Sequence, residues 1–168
     1  MAMEYRRVLE PMCALDPLLL IPRIEYVSDV YDCVFTAAKP YSLVILDMKN
    51  FHIINDVYGY DTGDKVIVEF MQKLRSRLPA GSISLRFRHG DEFLFFVPED
   101  RERAKASFAA FRESCEATPA CRVAEQDIFV SYRFAVIDLA GPRESVTALL
   151  ARAERALRQV KGQGSPRA

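Results

Sequence analysis

Leu85-Arg86-Phe87-Arg88-His89-Gly90-Asp91-Glu92-Phe93-Leu94-Phe95-Phe96-Val97 decides how the rest of this sequence is read. Two apolar, aromatic-rich runs flank a charged tip built on one glycine, the pattern of a β-hairpin whose turn presents something. Asp91 and Glu92 stand at that tip. Adjacent carboxylates beside a glycine are ordinary turn chemistry, and they are also half of a metal site. The flanking sequence has to decide between the two.

The chain has 168 residues, 50% of them apolar, which suffices for one domain with a proper core. Its 23 basic and 23 acidic residues cancel, so no global field draws it to nucleic acid or to an anionic membrane. A nucleotide-sized ligand remains compatible with that balance. Cys13, Cys33, Cys115 and Cys121 show neither the CxxC spacing of zinc ligands nor the density of a disulfide scaffold. They read as thiols of a reducing compartment. The apolar run from Leu18 to Ile21, held between Pro17 and Pro22, is far too short to cross a bilayer and lacks a signal-peptide layout. The expectation is a cytoplasmic protein.

Working outward from the hairpin, Tyr41 to Leu46 reads as a buried strand that stops at Asp47, and a helix is expected from about Asn50. Tyr58 to Asp64 reads as a two-glycine loop opening a long helix with Ile67, Phe70, Met71, Leu74 and Leu78 on its apolar side, closed by Pro79 and Gly81. The hairpin strands are placed at about Ser82 to Arg88 and Phe93 to Val97. Beyond Pro98, Ala104, Phe108, Phe111 and Cys115 mark a helix running to about Ala117. Thr118 to Gln126 reads as irregular, Asp127 to Asp138 as one alternating strand, and Val146 to Val160 as the stripe of a last helix. Upstream, Ile24, Val27, Tyr31, Val34 and Ala38 predict a helix ending before Pro40, preceded by a proline-pinned loop from Asp16 to Arg23. Tyr5, Val8, Leu9 and Met12 fall at helical spacing in a short lead. The order predicts an α+β fold: a palm-like, mainly antiparallel sheet with helices packed across it. The expected division is a lead over residues 1–15, the domain over 16–164 and a frayed tail over 165–168.

A strand ending at Asp47 and a tip bearing Asp91 and Glu92 bring carboxylates together if the strands are sheet neighbours. Hard divalent cations are held by one or two carboxylates plus phosphate oxygens of a substrate, and such an ion clamps a phosphate for in-line displacement. Asp47 taken alone reads equally well as a strand-terminal cap.

Phe51-His52-Ile53-Ile54-Asn55-Asp56-Val57-Tyr58-Gly59-Tyr60, then Gly63-Asp64, then His89-Gly90-Asp91-Glu92-Phe93 resemble the GGDEF domain of diguanylate cyclases. In that family a DxDxFKxxND segment precedes a glycine loop, a GD pair and the signature hairpin. Asp16-Pro17-Leu18 with Pro22 resembles its DxLTGLPNR loop, and Ala156-Leu157 with Lys161 its closing ALYxAK helix. The resemblance implies a sheet like that of nucleotidyl cyclases and polymerases, and the joining of two GTP molecules into cyclic di-GMP with release of two pyrophosphates. It implies Asp47 and Asp91 as ligands of Mg (or Mn), the main-chain carbonyl of Met48 as a further ligand, and Asp91 with Glu92 as the catalytic pair. Asn55 and Asp64 would read the guanine edge, and Lys161 would meet the triphosphate. His52, His89 and Gly90 would border the substrate. Each domain holds one GTP, so catalysis implies a homodimer, and a fused signalling domain is expected in the full-length protein.

Departures from the family pattern are as specific as the matches. The second acid of DxD is Lys49, which places a cation beside a metal site. The lysine after the phenylalanine is His52, which weakens a phosphate contact there. The first signature glycine is His89, the arginine two residues before it is Phe87, the arginine expected after Gly164 is Ser165, and the glycine of the SIGVA strand is Arg133. The RxxD product-inhibition motif would fall on Ala80 and Ile83 and is absent. The pattern predicts a domain that binds GTP or another guanine nucleotide, with weak or lost cyclase activity, acting as a regulatory module. An active cyclase using Arg86 or Arg88 with His52 as substitute cations is one alternative. A non-enzymatic dimerisation module beside a phosphodiesterase or sensor domain is the other.

Overall fold

A computed structural model describes residues 15–37, 40–87, 90–123, 125–140 and 142–163. The helical spacing noted at Tyr5 to Met12, together with Ala38, Arg88, His89 and the tail from residue 164, lies outside the described residues. Helix α1 is Val27–Phe35, entered through a 3-10 turn at Ile24–Tyr26. Strand β1 is Ser42–Met48, followed by α2 at Phe51–Tyr58 and α3 at Tyr60–Arg75. The hairpin strands are β2, Ile83–Arg86, and β3, Glu92–Val97. Then come α4 at Arg101–Ala117, the short strands β4 at Cys121–Val123 and β5 at Gln126–Ile128, β6 at Tyr132–Asp138 and α5 at Val146–Gln163.

The main sheet runs β2-β3-β1-β6, antiparallel throughout, and β4 pairs with β5 in a small second sheet. Strand β1 is central, and all seven of its positions are buried, because both faces of the sheet are covered. Val44, Leu46 and Met48 join Phe93, Phe95, Phe70, Phe108 and Tyr132 in one core beneath α3 and α4. Leu43, Ile45, Leu94, Phe96 and Ile137 join Tyr31, Val34, Leu149 and Leu157 in the other, beneath α1 and α5. Period-two alternation thus feeds two cores at once. The first is dense in rings, with Phe95 and Phe108 edge to face at 5.3 Å and Phe70 against Tyr132 at 5.5 Å. The Tyr132 hydroxyl donates to the Phe108 carbonyl at 2.5 Å, so the one polar atom of that ring is satisfied. Burial pushes its ionisation far above the usual tyrosine range.

The α+β fold and its mainly antiparallel sheet stand as expected; several boundaries differ. Strand β1 does not stop at Asp47 but runs through Met48, pairing Asp47 with Glu92 and with Arg133 and Met48 with Tyr132. The expected loop from Tyr58 to Asp64 reduces to Gly59, whose φ of +84° turns the chain between α2 and α3. Gly63 lies inside α3 instead. The helix ends at Arg75, so Leu78 packs from the following turn. Strand β2 ends at Arg86. Across the segment read as irregular and the start of the strand expected from Asp127, Cys121–Val123 and Gln126–Ile128 form a hairpin, with Glu125 at φ +67° in its turn. The single strand expected from Asp127 to Asp138 is broken between Ile128 and Tyr132. Its alternation persisted because Ile128, Val130 and Tyr132 all enter the same core, although only the last belongs to the main sheet.

The proline-pinned loop is ordered by its own aspartate. Asp16 Oδ1 accepts the N–H groups of Leu18 and Leu19 at 3.1 and 2.9 Å, and the Asp16 N–H reaches the Ile21 carbonyl at 2.8 Å. The loop then lies along the outer side of β2, where the Arg86 N–H donates to the Pro22 carbonyl at 2.9 Å. An edge strand that would otherwise be open is covered in this way.

Candidate functional site

Directly opposite residues on paired strands point to the same face. Asp47 faces Glu92 across β1 and β3, and Arg133 across β1 and β6. All three lie on the α1/α5 side, at the end of the sheet where the last turn of α5 brings Lys161 over them. Lys161 Nζ sits 2.8 Å from Asp47 Oδ1 and 3.6 Å from Glu92 Oε1. Arg133 Nη1 stands 3.9 Å from Asp47 Oδ2. One carboxylate oxygen of Asp47 is therefore bonded to Lys161, and the other faces the Arg133 guanidinium. The Asp47 side chain is 12% exposed, whereas Arg133 and Lys161 are 32% and 35% exposed. The cations form the outer layer.

The tip is drawn onto this end of β1 by the Met48 N–H, which donates to the Asp91 carbonyl at 3.1 Å. Gly90 adopts φ +81°, a conformation that favours glycine. Its carbonyl accepts two bonds from the Arg86 guanidinium, Nε at 3.1 Å and Nη2 at 2.8 Å, while Arg86 Nη1 pairs with Asp16 Oδ2 at 2.7 Å. Arg86 thus ties the hairpin tip to the N-terminal loop. The reading of Arg86 as a substitute phosphate cation is corrected by this arrangement: its nitrogens are already bonded within the protein, and the side chain is 16% exposed.

Burial raises the carboxyl of Glu92 above its ordinary 4.5, and the neighbouring charges of Asp47 and Asp91 push the same way. Lys161 opposes them. A recess of about 200 Å³ opens beside Glu92 and Lys161, walled by Ile45, Phe87, Glu154 and Leu157.

A second group forms where α2 meets α3. A Cβ placed on Gly63 would stand 1.9 Å from Asn55 Oδ1 and 3.2 Å from Phe51 Cζ. Glycine there leaves a notch that the Asn55 amide fills, and Asp64 follows on the exposed side of the same turn. The Gly59 N–H closes α2 on the Asn55 carbonyl at 2.9 Å. Asn55 of α2 thus packs against α3 at Gly63, the residue before Asp64. His52 is exposed in the first turn of α2. His89 lies outside the described residues.

The oxygen donors of Asp47, Asp91 and Glu92, with the Met48 carbonyl, are of the type a hard cation takes. Among the described residues, however, no three acidic, histidine or cysteine side chains are grouped to hold an ion. The carboxylate at the centre already carries an ammonium on one oxygen and a guanidinium near the other. As arranged, these residues do not fit a divalent cation.

Arg133 is the residue that reasoning from the sequence missed as a member of the site. The signal was present. On β6 the face shared by Ala135 and Ile137 is apolar, and one arginine on such a face needs a partner.

Residues 25–167 match the family model described as "Diguanylate cyclase, GGDEF domain". The chain is 24% identical over 126 residues to the bifunctional diguanylate cyclase/cyclic di-GMP phosphodiesterase MucR of Pseudomonas aeruginosa, covering 75% of this chain and 18% of that protein. It is 29% identical over 127 residues to the response regulator PleD of Caulobacter vibrioides, covering 74% of this chain and 28% of the other. The chain therefore spans less than a third of either relative. Among solved structures, the diguanylate cyclase SiaD of P. aeruginosa, in complex with its activator SiaC, superposes with a TM-score of 0.77 at 26% identity, over 98% of this chain and 64% of that one. The FimX GGDEF domain of the same organism superposes with a TM-score of 0.78 over 90% of this chain and 96% of that one; at 16% identity this is a likeness of fold alone.

Proposed function

The chain belongs to the GGDEF family of diguanylate cyclase domains, and from that premise we propose that it binds a guanine nucleotide without useful turnover to cyclic di-GMP and acts as a regulatory module of cyclic di-GMP signalling. The observation that carries this reading is the state of Asp47. Family resemblance makes it a metal ligand, and in this chain Lys161 and Arg133 flank its two oxygens at 2.8 and 3.9 Å. Preorganised charge is the largest single contribution to most phosphoryl chemistry, and each misplaced group costs on the order of a hundredfold in rate. Nucleotide binding makes smaller demands. It needs hydrogen bonds at the base end, where Asn55 and Asp64 stand on either side of Gly63, and cations at the phosphate end, where Lys161 and Arg133 are partly exposed.

The relatives' greater length supports placing this unit beside other domains, and the two activities in the name of MucR supply one example of such a pairing. Incubation of the purified protein with GTP and Mg²⁺ or Mn²⁺, followed by chromatography, is expected to give no cyclic di-GMP while calorimetry detects GTP binding. Gly63→Val is expected to abolish that binding by displacing Asn55. Cyclic di-GMP formation at ordinary cyclase rates overturns the loss of activity, and failure to bind GTP overturns the nucleotide reading.

A further inference from the structure

Arg133 projects from the strand next to β1 toward the carboxylate that a metal-dependent nucleotide site would use. Its guanidinium is a fixed positive charge at every physiological pH, planar and forked, and matched to phosphate oxygens. It stands on the opposite side of Asp47 from Lys161, so two cations straddle one carboxylate. The carboxylates of Asp47 and Glu92 and the cations of Lys161 and Arg133, joined by these ion pairs, balance in charge, so the cluster they form is neutral. A divalent cation entering it would meet two like charges within a few ångströms of the oxygens it needs. A polyphosphate would meet the same two charges as partners. Both are about one-third exposed, and neither is tied as Arg86 is by three hydrogen bonds to fixed acceptors.

We propose that Arg133 and Lys161 act as resident cations in place of the divalent ion, so that the site takes the triphosphate of a guanine nucleotide without metal. This rests on the nucleotide-binding reading above. When the phosphate arrives, the guanidinium moves from Asp47 to the anion, and Asp47 remains paired with Lys161. Arg133 is thereby a specificity-determining residue: it lets the site take the triphosphate whether or not a metal ion accompanies it.

Two measurements separate this inference from the reading it rests on. The first is GTP titration of the intact chain by calorimetry, in EDTA and in excess Mg²⁺. The wild type is expected to bind equally in both. Arg133→Ala, which keeps a Cβ on the strand, is expected to lose about tenfold in EDTA and to regain affinity when Mg²⁺ is added. Arg133→Lys is expected to retain metal-free binding. The second is titration with Mn²⁺ alone, read by electron paramagnetic resonance. No bound ion is expected in the wild type, and a bound ion is expected in Arg133→Ala. Wild-type GTP binding that requires Mg²⁺, or Mn²⁺ bound by the wild type without nucleotide, overturns the resident-cation inference and leaves nucleotide binding standing. No GTP binding in either buffer overturns both.

Discussion

Two arginine–aspartate pairs flank the hairpin, and they do opposite work. Arg86 and Asp16 meet at 2.7 Å with side chains 16% and 8% exposed, and two further bonds to the Gly90 carbonyl use the remaining nitrogens. Arg133 and Asp47 meet at 3.9 Å, with the arginine 32% exposed and the aspartate shared with Lys161. The first pair is closed. Its hydrogen bonds satisfy one another, hold the turn at Gly90 in its positive-φ conformation and anchor the loop that covers β2. The second is open, with donors left over on its outer side. The difference teaches that a charged pair near a site declares its role through how completely its donors are used, not through which residues compose it.

Arg86→Ala tests the closed pair and carries the largest expected effect. Breaking one partner of a buried, hydrogen-bonded ion pair costs about 3–5 kcal/mol, a fall in Tm of about 10 °C in a domain this size. Thermal unfolding by circular dichroism measures it. Arg133→Ala is the matched experiment on the open pair. Partly exposed ion pairs contribute about 0–1 kcal/mol, so the same scan should show a fall in Tm of no more than about 3 °C. Equal losses from the two substitutions would erase the distinction.

The smallest expected effect is a pH dependence. Glu92 has its carboxyl raised above 4.5, chiefly by burial. The folded state therefore holds this proton where the unfolded state has released it, so the contribution to stability is fully present below the unfolded value and is lost as pH rises through the folded one. Glu92→Gln removes the ionisation. Relative to the wild type, the variant should gain stability progressively as pH increases from 4.5 toward neutrality, measured by denaturant melts at successive pH values. A difference that shrinks with rising pH would mean that Lys161 dominates Glu92, and that the open cluster is a stabilising one after all.

Much of the fold was legible because it rests on local pattern. The run Tyr41 to Leu46, the alternation on either side of Gly90 and the spacing of Ala104, Phe108 and Phe111 each name an element from neighbouring residues alone. The short hairpin at Cys121–Val123 and Gln126–Ile128 was not legible, since three-residue strands carry too few positions for a period to show. The break before Tyr132 was hidden for the opposite reason: Ile128 and Val130 kept the alternation going by entering the core from outside the sheet. Gly63 read as a loop glycine, and only its contact with Asn55 shows it to be a notch in a helix.

At the hairpin from Leu85 to Val97, the sequence by itself determined that two carboxylates sit at a turn, that Asp47 ends the neighbouring apolar run and that the chain resembles one family. It also supplied the arginines at positions 86, 88 and 133, with no means of telling their roles apart. Tertiary structure assigned two of them. Arg86 was committed to Asp16 and Gly90 by a loop that folds back from far upstream, and Arg133 was delivered to Asp47 by the antiparallel register of β1 and β6. The physical reason is that a guanidinium's chemistry is the same at every position in a chain, while the acceptors that use up its donors are gathered from distant segments only when the chain has folded.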